Sequence, residues 1–138
     1  MSHELRLSIL SPERRLVESV LVEEVTLTGS EGQIQILPDH APMIGTLSTG
    51  LFSYRSKGGQ SVDGVISTGF FRVTEDEVQI MAETVELKSE IDVDRAKRAQ
   101  KLAQDTLQAA DLDEHQFKKY QLKLQRALVR QQIGGHEI

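Results

Sequence analysis

A carboxylate beside an imidazole is the makings of a general base, and this chain places one such pair in a loop. Pro38-Asp39-His40-Ala41-Pro42 sets Asp39 next to His40 between two prolines. The pair has no nucleophile to serve: there is no G-x-S-x-G and no cysteine. Thr28-Gly29-Ser30-Glu31-Gly32 is rich in glycine, but it lacks the lysine and the following helix of a phosphate loop and reads as a turn. His3, His115 and His136 are scattered, so they do not form a metal site. Glu75-Asp76-Glu77 is too short for a calcium loop and reads as a solvated turn between strands. No catalytic residue and no metal ligand is assigned.

What remains is charge and shape. From Gln116 to Gln132 the chain has no acidic residue. On a helical wheel Lys119, Lys123, Arg126 and Arg130 fall within about 60° of one another at 100° per residue. Phe117, Tyr120, Leu124, Ala127 and Leu128 lie on another side, and Leu122, Val129 and Ile133 form a narrow apolar strip beside the bases. A solvated basic face is the plain alternative. Three large aliphatics next to it favour a docking surface for an acidic partner.

Two kinds of element must carry these groups. Glu4 to Leu10, Arg15 to Thr28, Gly32 to Leu37, Leu51 to Arg55, Val62 to Ser67, Phe70 to Thr74 and Glu77 to Ala82 are short apolar or alternating runs. Turn signals at Ser11-Pro12, Gly29–Gly32, Pro38 and Ser56–Gly59 separate them. Alternation means that one face of each strand is buried. No helical crossover fits between the runs, so the expected body is an N-terminal antiparallel β-sandwich or barrel with no βαβ unit. Asp92 is an expected N-cap for a helix from Val93 to Ala110, with Ala96, Ala99, Ala103, Leu107 and Ala110 on one stripe. Asp94–Arg98 and Lys101–Asp105 have the spacing of i,i+4 ion pairs. A second helix runs from about Glu114 to Ile133 and ends at Gly134-Gly135. Asp111 and Glu114 have capping-box spacing, and Asp113 is the alternative cap. The short link predicts a C-terminal antiparallel two-helix hairpin.

Composition agrees with that division. The chain has 138 residues and a net charge of −5. Residues 1–87 carry 6 Lys/Arg against 13 Asp/Glu, and residues 88–138 carry 10 against 8. The expected domains are therefore 1–87 and 88–138. The acidic balance disfavours nucleic acid as a partner, and no stretch approaches the roughly 20 apolar residues needed to span a bilayer. The start of the chain lacks the apolar run of a signal peptide. An intracellular protein is expected.

Thr28 to Ile44, with Gly29-x-x-Gly32, a short strand and Leu37-Pro38-Asp39-His40-Ala41-Pro42, resembles the most recognisable block of the epsilon subunits of F-type ATP synthases. Ser67-Thr68-Gly69-Phe70-Phe71 is similar to the small-residue element before that family's last strands, and Glu83 and the helical pair follow at the expected distance. The resemblance covers the whole chain. It implies a ten-stranded sandwich that packs on the gamma subunit and stands on the c-subunit ring, with Glu31 and His40 facing that ring. It implies a non-catalytic rotor subunit that couples ring rotation to the catalytic head. The hairpin would lie folded or extend toward the catalytic beta and alpha subunits, where its basic helix would meet an acidic segment and restrain hydrolysis. Membrane association would run only through the complex, on the cytoplasmic side of a bacterial inner membrane or, failing that, the stromal side of a thylakoid. Ile91-Asp92-Val93-Asp94-Arg95-Ala96 also resembles the I-D-x-x-R-A signature of ATP-binding members. Ile91, Asp92, Arg95, Arg126 and Arg130 would then hold ATP as a regulatory ligand, with no cofactor required. Leu102 stands where a further arginine is expected, with Lys101 beside it. The rival readings are a β-sandwich adaptor recruiting an acidic partner through its basic hairpin, a small enzyme using Asp39-His40, and a membrane-surface protein.

Overall fold

The structure, a computed structural model, describes residues 4–109 and 111–134. His3, Ala110, Gly135 and His136 lie outside the described residues. The chain divides into two compact units, Met1–Leu87 and Lys88–Ile138.

The first unit holds nine strands among the described residues: β1 (Leu5–Leu10), β2 (Arg15–Gly29), β3 (Gly32–Ile36), β4 (Met43–Leu47), β5 (Gly50–Ser56), β6 (Ser61–Ile66), β7 (Gly69–Thr74), β8 (Glu77–Ala82) and β9 (Val85–Leu87). The spatial order is β1-β8-β7-β4-β2-β5-β6-β9, with β3 on β2 and a further β1–β2 pairing. Alternation does the sorting: Leu5, Leu7 and Ile9 of β1 are buried while Arg6 is exposed. Inward residues of β1, β7 and β8 meet those of β2, β3, β5 and β6 in one aliphatic core that includes Phe52, Phe71, Ile80 and Ile66.

The strand count implied by the resemblance is corrected: among the described residues there are nine strands rather than ten, because β2 does the work of two. Its 15 residues pair with β1 through Arg15–Val22 and with β5 and β3 through Val22–Gly29. Within the β1-paired part, where the register shifts between Val17 and Val20, Ser19 takes a left-handed conformation, φ 50, and its amide donates to Ser8 Oγ at 2.9 Å. That bulge lets one strand turn from one layer into the next. The other pairings are antiparallel as expected, while β1 and β8 run parallel. The chain between them winds through the rest of the sandwich, so no crossover helix is needed.

The second unit opens with a 3-10 turn at Lys88–Glu90, then α1 (Val93–Ala109) and α2 (Glu114–Gly134). Asp92 caps α1, its Oδ1 accepting the Arg95 amide at 3.1 Å. Asp113, the alternative, caps α2. Its Oδ1 accepts the Gln116 amide at 2.8 Å, and Gln116 Oε1 accepts the Asp113 amide at 3.4 Å. An i,i+4 ion pair on the hairpin is Glu114–Lys118 at 3.2 Å. Among the described residues, Asp94–Arg98 and Lys101–Asp105 do not close, because long exposed side chains gain little by holding one geometry.

The helices pack antiparallel, with Gln131 meeting Gln100 and Gly134 meeting Val93. That register brings Ala103 level with Ala127, and both are buried. The close approach of these alanines sets the rotation of α2. Phe117 and Leu128, expected on the large apolar side, are 44% and 46% exposed, while Ile133 is buried.

Candidate functional site

Three surfaces of the β unit and one end of the helical unit carry the candidate residues. The β2–β3 turn, Gly29–Gly32, is held by Ser30, whose amide donates to the Thr46 carbonyl at 3.0 Å and whose hydroxyl meets that of Thr46 at 2.7 Å. Glu31 is exposed at its tip. Beyond β3, Asp39 adopts φ 67 and the His40 amide donates to the Leu37 carbonyl at 3.1 Å. His40 Nδ1 lies 2.7 Å from the Ala41 carbonyl. A carbonyl can only accept, so Nδ1 carries the proton and Nε2 is left for a partner group. Glu31 and His40 do not form one cluster. They lie beyond opposite ends of β3, a strand of 5 residues that spans about 13 Å at ~3.3 Å per residue.

The second surface was not anticipated. On the outer face of the sheet, Thr46, Phe70, Met81 and Leu10 stand side by side across β4, β7, β8 and β1. Ile44 and Arg72 form the adjoining row. Ile44 is 74% exposed, Phe70 49% and Met81 39%. Alternation in Gly69-Phe70-Phe71-Arg72-Val73 held the signal: if Phe71 is core, Phe70 must face out. An exposed run of large apolar side chains across three strands is the mark of a protein interface.

Next to that row, at one end of the sheet, two turns are tied together. Ser67 is fully buried, and its Oγ accepts both the amide and the hydroxyl of Thr84 at 2.8 Å each. The Ser67 amide donates to the Thr84 carbonyl at 3.0 Å, and the Glu83 amide to the Thr68 carbonyl at 2.9 Å. Thr68 Oγ1 donates to Glu83 Oε2 at 3.0 Å. This is the physical content of the Ser67-Thr68-Gly69 motif: it anchors β7 beside the apolar row.

In the helical unit, Ile91, Asp92 and Arg95 gather at the start of α1. The hairpin register puts Arg130 about 8 Å along the axis from Arg95, and Arg126 about 14 Å, at 1.5 Å per residue. Lys119 and Lys123 are exposed, Lys123 Nζ lying 5.1 Å from the centre of the Tyr120 ring. Arg126 and Arg130 are half-buried. Leu102 is exposed. Among the described residues no cluster of His, Cys, Asp or Glu could hold a metal ion, and no helix is long and apolar enough to cross a membrane.

The chain matches two family models in succession: the ATP synthase delta/epsilon chain β-sandwich domain over residues 4–88 and the ATP synthase delta/epsilon chain long α-helix domain over residues 89–134. It is 38% identical to the ATP synthase epsilon chain of Trichlorobacter lovleyi, over 98% of this chain and 96% of that one. It is 35% identical to the epsilon chain of Geobacter metallireducens, with the same shares covered. Among solved structures, a chain of the Euglena gracilis mitochondrial ATP synthase superposes with a TM-score of 0.83 at 21% identity, over 99% of this chain and 84% of that one. A chain of the Tetrahymena thermophila mitochondrial enzyme, from a structure of its central stalk and c-ring, superposes with a TM-score of 0.67 at 13% identity, over 94% and 96%. With both halves matched in order and relatives aligned nearly end to end, this chain belongs to the epsilon-chain family of ATP synthase, a non-catalytic stalk subunit of that complex.

Proposed function

We propose that the β unit seats this chain in the rotor and that the helical hairpin restrains ATP hydrolysis. The observation that carries the first part is the exposed apolar row of Ile44, Phe70 and Met81, which gives a rigid sheet a surface suited to the gamma subunit. Glu31 and His40, polar and separated along the sheet, suit two contacts with the polar loops of a c-subunit ring. Turning with the ring, the β unit transmits its motion to the stalk. The complex would sit on the cytoplasmic side of a bacterial inner membrane, with this chain peripheral.

The second part rests on the hairpin being a separate compact unit with a seam of small side chains. Each buried CH₂ contributes about 0.8 kcal/mol, so an alanine seam adheres weakly and can be released. Lys119, Lys123 and the exposed Phe117 would meet an acidic segment of the catalytic beta subunits, with Arg126 and Arg130 joining once the helix separates. Removing residues 88–138 is expected to raise ATP hydrolysis by the assembled complex about tenfold, an ordinary allosteric coupling, with assembly intact because the core of the β unit is its own. Unchanged hydrolysis across nucleotide and proton-gradient conditions would refute the restraint.

ATP is the proposed regulatory ligand of Ile91, Asp92, Arg95, Arg126 and Arg130. Arginine forks clamp phosphates, and the register allows Arg95 and Arg130 to reach one ligand. Titrating the purified chain with ATP in a calorimeter is expected to give saturable heat that Arg130→Ala removes. No heat at millimolar ATP ends this part of the reading and leaves the rest standing.

A further inference from the structure

The α1–α2 seam is built from small groups. Its buried side chains are Ala96, Ala103, Ala127 and Ile133. Two amides meet among them: Gln131 Nε2 donates to Gln100 Oε1 at 2.6 Å and lies 3.3 Å from the Ala127 carbonyl. Both side chains are half-buried. Less than one turn further on, Gly134 lies so close to α1 that an added Cβ would stand 2.7 Å from Val93 Cγ2 and 3.2 Å from Ile91 Cγ2. Gly134 thus leaves room for the Val93 side chain at this end of the seam, and the amide pair sits just inside it.

An amide pair at such a place has two effects. It penalises any other register, because a shifted seam leaves a partly desolvated amide without its partner. It also adds little to the closed state, because both amides regain water when the helices part, so a typical bond nets only about 1 kcal/mol. Apolar side chains of the same length would adhere and be released reluctantly. We propose that Gln100–Gln131 is the latch of the hairpin: it sets the closed register and keeps closure weak enough for α2 to leave. This rests on the reading of the hairpin as a movable regulatory element.

Methionine matches glutamine in length and in helix propensity, so it removes the amide with little else changed. Backbone hydrogen exchange on the full chain is the measurement, with the amides of the β-sheet as the internal record of folding. Gln100→Met together with Gln131→Met is expected to slow exchange in α1 and α2 about tenfold, as when a polar pair is replaced by apolar groups of equal volume. Gln100→Met alone, which leaves Gln131 Nε2 only its longer bond to the Ala127 carbonyl, is expected to quicken it about fivefold. That reversal of sign is coupling that a role in packing alone does not produce. If the single and double variants move exchange in the same direction, or not at all, there is no latch. Hydrolysis by the complex carrying the double variant tests the other idea separately. Slowed exchange with unchanged hydrolysis keeps the latch and removes the regulatory reading. Unaltered exchange removes the latch whatever hydrolysis does.

Discussion

Replacing Phe70 with aspartate is expected to weaken binding of this chain to the gamma subunit at least 100-fold while leaving its melting temperature nearly unchanged. Phe70 stands between Thr46 and Met81 at the centre of the exposed row, with Ile44 diagonal to it. Large aromatic anchors at the middle of an interface commonly carry about 2–4 kcal/mol, and a carboxylate there would be desolvated without a partner. Every ~1.4 kcal/mol is tenfold in affinity. The fold should tolerate the change, because the side chain is half in water and surface substitutions usually stay within ~0.5 kcal/mol. Its neighbour supplies the contrast. Phe71 is fully buried, so Phe71→Ala should cost about 3–5 kcal/mol of stability and affect binding only through the fold. Isothermal titration against gamma, with melting curves alongside, reads both. If Phe70→Asp binds as tightly as the parent chain, the docking face lies elsewhere. The outer surface around Arg55, where Arg55 Nε bridges to Glu23 at 2.8 Å, becomes the next place to look.

That row shows where reading the sequence stops short. Strict alternation made most of the sheet legible, because a strand with one wet face writes its orientation into every second residue. β4 escaped notice: in Met43-Ile44-Gly45-Thr46-Leu47 burial alternates, but a glycine faces inward and an isoleucine outward, so the residue types do not spell that alternation. The outward Ile44 belongs to the face proposed to dock on gamma. β9, three residues long, is defined by its pairing with β6 and by nothing local. The length of β2 was visible, but its change of layer was not, because the Ser19 bulge is stabilised by the hydroxyl of Ser8 on another strand. In the hairpin, both helices and the Asp92 cap follow from local spacing. The rotation of α2 does not. A wheel ranks faces by side-chain size and turns Phe117 and Leu128 inward. The seam is instead chosen by where two helices can come closest, and alanines permit that. The same rotation leaves Lys119 and Lys123 in water and half-buries Arg126 and Arg130.

An effect on stability as large as that of Phe71→Ala is expected at Gly69. Gly69 faces Ala82 across the β7–β8 ladder, and a Cβ added there would stand 2.1 Å from the Met81 carbonyl oxygen and 2.8 Å from Ala82 Cα. Both are main-chain atoms, so no rotamer change relieves the overlap. The two strands would have to separate where Ser67, Thr68, Glu83 and Thr84 hold the adjacent turns together. Moving the backbone therefore stretches the part-buried Ser67–Thr84 hydrogen bonds, and leaving a buried group unpaired costs about 1–3 kcal/mol. Overpacking alone costs about 1–3 kcal/mol, and the two together put Gly69→Ala at about 4 kcal/mol. At ~4–8 °C per kcal/mol for a domain of this size, the β unit should melt at least about 15 °C lower. Gly58, where an added Cβ meets nothing within 4 Å, is the control, and Gly58→Ala should melt with the parent chain. Because Phe70 follows Gly69 directly, the damaged variant should also lose gamma binding in proportion to its unfolded fraction, whereas Phe70→Asp loses binding with the sheet intact. A Gly69→Ala chain melting within two or three degrees of the parent, by about the scatter of neutral surface changes, would show that β7 and β8 do not approach as closely there as the anchoring of the interface requires.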